Sequence, residues 1–123
     1  METGLTHQSS ITVATSHLAC TLGSGDLQVL ATPAMLALME NAAMLAVAPH
    51  LAHGESTVGG FISSSHIRPT GLGHKVTATA ELVEIKGRKL KFKVSACDDN
   101  GLIGEGEHLR FIISKDQFMQ KVV

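Results

Sequence analysis

A chain of 123 residues is long enough for one domain with a real core and short for two. Hydrophobic residues make up 44% and charged ones 17%, a globular balance, and a formal net charge of −1 argues against a nucleic-acid surface. Aromatics are only 3%, with no Trp or Tyr, so the core has to be built from Ala, Val, Leu, Ile and Met.

Residues Met1 to Ser10 are largely polar and lack the apolar stretch of a secretory leader. Ile11-Thr12-Val13-Ala14-Thr15, within Ser9 to His17, leans towards a first strand. Leu22 to Gln28 carries Gly23, Ser24, Gly25 and Asp26, which is loop chemistry. Thr32-Pro33 then reads as a helix start, with Thr as cap and Pro at the first helical position. Ala, Leu and Met dominate onward to Ala48, where Pro49 ends the regular helix and leaves an irregular turn to Leu51. This run is the most apolar in the chain, but Glu40 and Asn41 interrupt it and it is short for a bilayer span.

The rest reads as strands. Val58 to Arg68 is the first of them, stopped by Pro69, Gly71 and Gly73. His74 to Ile85 follows, and its apolar phase shifts after Leu82, the mark of a bulge or strong twist. Lys89 to Cys97 puts Leu90, Phe92, Val94 and Ala96 on one face and its lysines on the other, so the basic run Lys86 to Lys93 is read as the solvated face of a strand. Asn100-Gly101 signals a hairpin into a last strand, Leu102 to Ile113, with a short tail or helix over Lys115 to Val123. A long helix inserted early in an antiparallel meander makes an α+β fold, one domain over residues 1–123. Because the helix is apolar on nearly all sides, one sheet covers only part of it, and a second copy of the chain is the simplest cover for the rest. Cys20 and Cys97 match no metal spacing, and the expectation is a cytoplasmic protein with reduced thiols and no membrane segment.

Glu40 is the most informative residue. A carboxylate in apolar surroundings has to be paired, hydrogen-bonded or shifted in pKa, and such a group suits a general base or a nucleophile; the plain alternative is a wet stripe at a subunit seam. His66 ends an apolar strand with a polar run, Ser63 to Thr70, where a structural histidine is the commoner case. His50 and His53 lack a third ligand at a recognisable spacing, so no metal is expected. Thr32 is explained as a cap, and it stands about 12 Å from Glu40 along a straight helix. Gly59 and Gly60 allow either a β-bulge or close approach of a ligand to backbone N–H groups, as in an oxyanion hole.

The strings Thr32 to Ala43, Ala48-Pro49-His50-Leu51, Val58-Gly59, Ser65-His66, Val76 to Val83 and Gly101 to Arg110 together resemble the fluoroacetyl-coenzyme A thioesterase family, whose members are hot-dog proteins. The resemblance implies an antiparallel five-stranded sheet wrapped around one long central helix, and hydrolysis of an acyl-CoA or similar thioester. It implies catalytic Thr32, Glu40 and His66, with Gly59 and Arg110 (and Gly60 beside them) at the substrate. It also implies a dimer, or a larger homo-oligomer, with sites at the subunit interface, and no cofactor beyond the coenzyme A of the substrate. The segment Leu18 to Ala31 carries no aromatic residue, whereas the fluoroacetyl-specific enzyme has Phe in a lid there. Two other activities fit the same fold: a non-catalytic acyl-CoA-binding module, and an enoyl-CoA hydratase or dehydratase.

Overall fold

Five strands form one antiparallel sheet of order β1-β3-β4-β5-β2 in the computed structural model, which describes residues 1–123. The strands are β1 (Thr6–Thr12), β2 (Glu55–Ser64), β3 (Lys75–Lys86), β4 (Lys89–Asp98) and β5 (Gly101–Ser114). The helices are α1 (Ala19–Leu22), α2 (Thr32–Val47) and α3 (Lys115–Met119). The chain makes the β1–α2–β2 excursion first and then closes the sheet with the meander β3-β4-β5 between its two edges. No helix is long and apolar enough to cross a membrane.

The period-two pattern of β3 and β4 creates the floor on which α2 lies. Val76, Ala78, Ala80 and Leu82 of β3 and Leu90, Phe92, Val94 and Ala96 of β4 are all buried on the inner face. From α2 they meet Met35, Leu38, Met39, Ala42, Ala43, Ala46 and Val47. Alanines on both sides let the helix backbone approach the sheet closely, and Met35 and Met39 fill the gaps that small residues leave. The helix is not covered all round within one protomer. Pro33, Ala37, Asn41 and Leu45, spaced four apart, remain exposed along its outer strip.

Three boundaries differ from the sequence expectation. β1 lies earlier than the β-branched run Ile11–Thr15: it pairs with β3 from Thr6↔Glu81 to Thr12↔Lys75, and Thr15–His17 is a 3-10 turn. Polar residues tolerate this because β1 is an edge strand, where Gln8 bonds Thr79 and Ser10 bonds Thr77, while buried Ser9 donates to Asn41 of α2 at 2.7 Å. The N-cap of α2 is Ala31, and Thr32 is the first helical residue with no capping bond, so the capping role expected of Thr32 is wrong. β2 starts at Glu55 and stops at Ser64 instead of running from Val58 to Arg68, although Ser65 and Ile67 still donate backbone N–H to Glu105 and Ile103. The phase shift after Leu82 is a break of register between Leu82 and Glu84, and a second break lies between Gly59 and Phe61.

The lysines of β4 stand on the outer face among acids. Lys91 pairs with Glu107 at 3.7 Å, and Lys93 is flanked in register by Glu81 and Glu107. That balance makes the strand a solvated mixed-charge face and not a basic patch.

The end of β2 crosses β5 closely because β5 has glycine there. A Cβ on Gly106 would overlap the Ser63 carbonyl, and one on Gly104 would meet the Ser65 carbonyl and Met35. Gly106→Ala is expected to destabilise the fold by about 1–3 kcal/mol, since backbone has to move to admit the methyl group. Thermal unfolding checks this; an unchanged melting temperature would contradict the packing described.

Candidate active site

The sequence-predicted residues fall into two clusters. In the first, the start of α2 meets the segment after β2: Thr32 Oγ1 and His66 Nδ1 are hydrogen-bonded at 2.7 Å. The hydroxyl released from capping is thus spent on the imidazole. His66 Nε2 is buried and makes no hydrogen bond within the protomer. Burial lowers the His66 pKa below its ordinary value, so the ring is neutral near pH 7. A cleft of ≈ 260 Å³ opens beside this pair, with Ala19, Val29, Leu30 and Ile67 as its apolar wall.

The second cluster lies further along α2. Glu40 projects over Gly59 of β2, and a Cβ there would stand 2.8 Å from Glu40 Oε2, so the missing side chain is what makes room for the carboxylate. Arg110 of β5 faces it, Nη1 to Oε2 at 3.8 Å, with the Glu40 side chain 41% exposed and that of Arg110 only 7%. The separation is an ion pair and not a hydrogen bond, which leaves both carboxylate oxygens free to act. Each Arg110 nitrogen has a hydrogen-bond partner in the sheet: Nε donates to Thr57 Oγ1 at 2.9 Å, Nη2 to the Thr57 carbonyl at 2.9 Å, and Nη1 lies 3.2 Å from His108 Nε2. Gly60 is the residue at the register break, and the Phe111 ring lies where its Cβ would be.

One protomer therefore brings Thr32 to His66, and Glu40 to Gly59 and Arg110, but leaves the two groups about two helical turns apart on α2. Thr57 and His108 were missed by the sequence reading. His108 and Arg110 alternate on the inner face of β5, in line with Gly104 and Gly106, and that period-two pair of polar groups was the available signal. His50 and His53 are exposed, and no group of three His, Cys, Asp or Glu side chains is placed to hold a metal ion.

The segment carrying His66 is anchored from the far side. Asp98 accepts from Arg68 Nη2 at 3.1 Å, from the Thr70 hydroxyl at 2.7 Å and from the Asn100 amide at 2.8 Å. Burial alone would raise the Asp98 pKa; the Thr70 and Asn100 hydrogen bonds, the Arg68 guanidinium and His74 outweigh it and hold the carboxyl below its ordinary 3.8.

The curled five-stranded sheet on one long helix is a hot-dog fold of the thioesterase kind. A thioesterase superfamily member from Thermus thermophilus shares it with a TM-score of 0.89 at 24% identity, over 97% of this chain and 88% of that one. The sequence model of the fluoroacetyl-CoA-specific thioesterases (FlK) matches residues 13–116. The fluoroacetyl-CoA thioesterase of Streptantibioticus cattleyicolor is 43% identical over 95 residues, 77% of this chain and 68% of that protein. A solved structure of a FlK mutant in complex with acetyl-CoA superimposes with a TM-score of 0.94 at 34% identity, covering 99% of this chain and 96% of the other. The chain belongs to the fluoroacetyl-CoA-specific thioesterase family.

The Asp98 anchor generates a pH prediction. A carboxyl whose folded pKa is depressed adds stability above its unfolded pKa and loses it as pH falls through the folded value. Asp98→Asn should lower the melting temperature at pH 7, and the gap from the unsubstituted protein should shrink as pH falls below about 4. A gap constant from pH 7 to pH 3 would contradict this.

Proposed function

We propose that this protein hydrolyses acyl-CoA or a similar acyl thioester, with Thr32, Glu40 and His66 at the reacting centre of a homodimer. The observation that carries the reading is the half-exposed Glu40 carboxylate seated over Gly59 on an otherwise apolar helix, in a chain of a thioesterase family. Glu40 activates water or attacks the thioester carbonyl itself. In either case the carbon–sulfur bond breaks, a water oxygen ends on the acyl carboxylate, one of the water's protons ends on the departing coenzyme A thiol, and the other leaves to solvent. His66, neutral and hydrogen-bonded to Thr32, is suited to pass that proton. Backbone near Gly59 adjoins the carboxylate and is the candidate cradle for the carbonyl oxygen. These residues need no metal or redox group for the reaction.

A dimer supplies what one protomer leaves open. The exposed strip Pro33, Ala37, Asn41 and Leu45 is a face for a second helix, and the buried, unpartnered His66 Nε2 calls for a hydrogen-bond partner. In this reading Glu40 of one protomer works with Thr32 and His66 of its partner, in the cytoplasm.

The test is a panel of acyl-CoAs of increasing chain length, with thiol release followed colorimetrically. Glu40→Gln keeps shape and hydrogen bonding while removing the basic oxygen, and is expected to lower kcat by about 10²–10⁴-fold, with His66→Ala of similar cost. Tight acyl-CoA binding without thiol release would favour the binding module. Water addition to an enoyl-CoA, with Glu40 and His66 required, would favour the hydratase.

A further inference from the structure

Behind Glu40 stands a histidine that the hydrolytic reading does not use. His108 of β5 is 1% exposed, with Nδ1 2.7 Å from the Phe61 carbonyl and Nε2 3.2 Å from Arg110 Nη1. A carbonyl only accepts and a guanidinium only donates. The ring must therefore carry its proton on Nδ1 and keep a lone pair on Nε2, which makes it a neutral imidazole. Burial lowers its pKa first, and the Arg110 charge lowers it further; the Phe61 hydrogen bond and the Glu40 charge oppose this without reversing it.

The consequence falls on Arg110. A guanidinium buried this deeply is costly unless its donors are engaged. Thr57 takes Nε and Nη2, and His108 takes one of the two N–H bonds of Nη1, leaving the other for Glu40 at 3.8 Å. If Nη1 were released from His108, the guanidinium could close on the carboxylate as a hydrogen-bonded pair and occupy the lone pairs that the reaction needs. The register break leaves Gly60 out of the ladder directly before Phe61, whose carbonyl His108 reaches. The groups facing Glu40 from the sheet are then Arg110 and His108 of β5, with Gly59 of β2.

We infer that His108 is a positioning residue: acting through Arg110, it fixes the distance at which the guanidinium stands from the Glu40 carboxylate. The inference rests on the reading of Glu40 as the reacting carboxylate. His108→Leu removes both hydrogen bonds, whereas His108→Gln can still donate to Phe61 and accept from Arg110. His108→Leu is expected to lower kcat by about 10–100-fold with KM held within about twofold, and His108→Gln to recover most of the loss. Should His108→Leu fail to fold, His108→Met, closer in length and without a strong acceptor for Nη1, is expected to show the same split, kcat down and KM held. Nitrogen-15 spectra of histidine-labelled protein should show the His108 ring neutral with its proton on Nδ1, in both the unsubstituted protein and Glu40→Gln. A proton on Nε2, or kcat and KM changing together without rescue by His108→Gln, overturns the positioning role. Full turnover in Glu40→Gln overturns the role of Glu40 instead and leaves the proton placement on His108 standing, so the two failures are distinguishable.

Discussion

A carboxylate on an otherwise apolar helix has to find a counter-charge, and in this fold the cation that meets Glu40 is Arg110, rising from the sheet beneath. The arrangement constrains much of the chain. β2 must have glycine at Gly59, or the carboxylate has no room; β5 must present Arg110 and His108 on one face; and Thr57 must sit opposite to hold the guanidinium. Burying Arg110 is tolerable only because Thr57, His108 and Glu40 satisfy it together, so removing one partner leaves the others strained or unpaired. The ion pair stays longer than a hydrogen bond, which suits the reacting role proposed for the carboxylate.

The other half of the proposed site is built by a different device. His66 lies beyond the end of β2, on a segment that Gly104 and Gly106 allow to pass close over β5 and that Asp98 ties down through Arg68 and Thr70. Thr32 enters from the start of α2, where Ala31 serves as the N-cap and frees the hydroxyl for the imidazole. The two halves share a helix but not a location. Their separation along α2, the exposed strip of that helix and the orphaned His66 Nε2 all favour a site completed across two protomers.

The helix, the meander and the inner faces of β3 and β4 were legible because each rests on a local rule: alanine-rich helical propensity, period-two burial, an Asn-Gly turn. The bulge after Leu82 was legible for the same reason, as a shift of phase in the residues themselves. The errors lie where tertiary contacts override local preference. β1 takes polar Thr6–Thr12 over the β-branched run because an edge strand needs only one buried face, and here Ser9 satisfies Asn41. Thr32 reads as a cap from Thr-Pro alone; its bond to His66, far along the chain, could not be read locally. The role of Gly59 was half legible: glycine predicts close approach, but what approaches in this protomer is the Glu40 carboxylate.

The claim that the active site is shared between protomers is tested most directly by mixing two inactive variants. Glu40→Gln and His66→Ala, purified separately, are unfolded together, refolded as mixed dimers and assayed for acyl-CoA turnover. If Glu40 of one protomer works with His66 of the other, each mixed dimer regains one intact site, and the mixture recovers up to about a quarter of the unsubstituted activity. If both residues act within one chain, every site in the mixture lacks one of them, and activity that stays at the level of the separate variants would contradict the account.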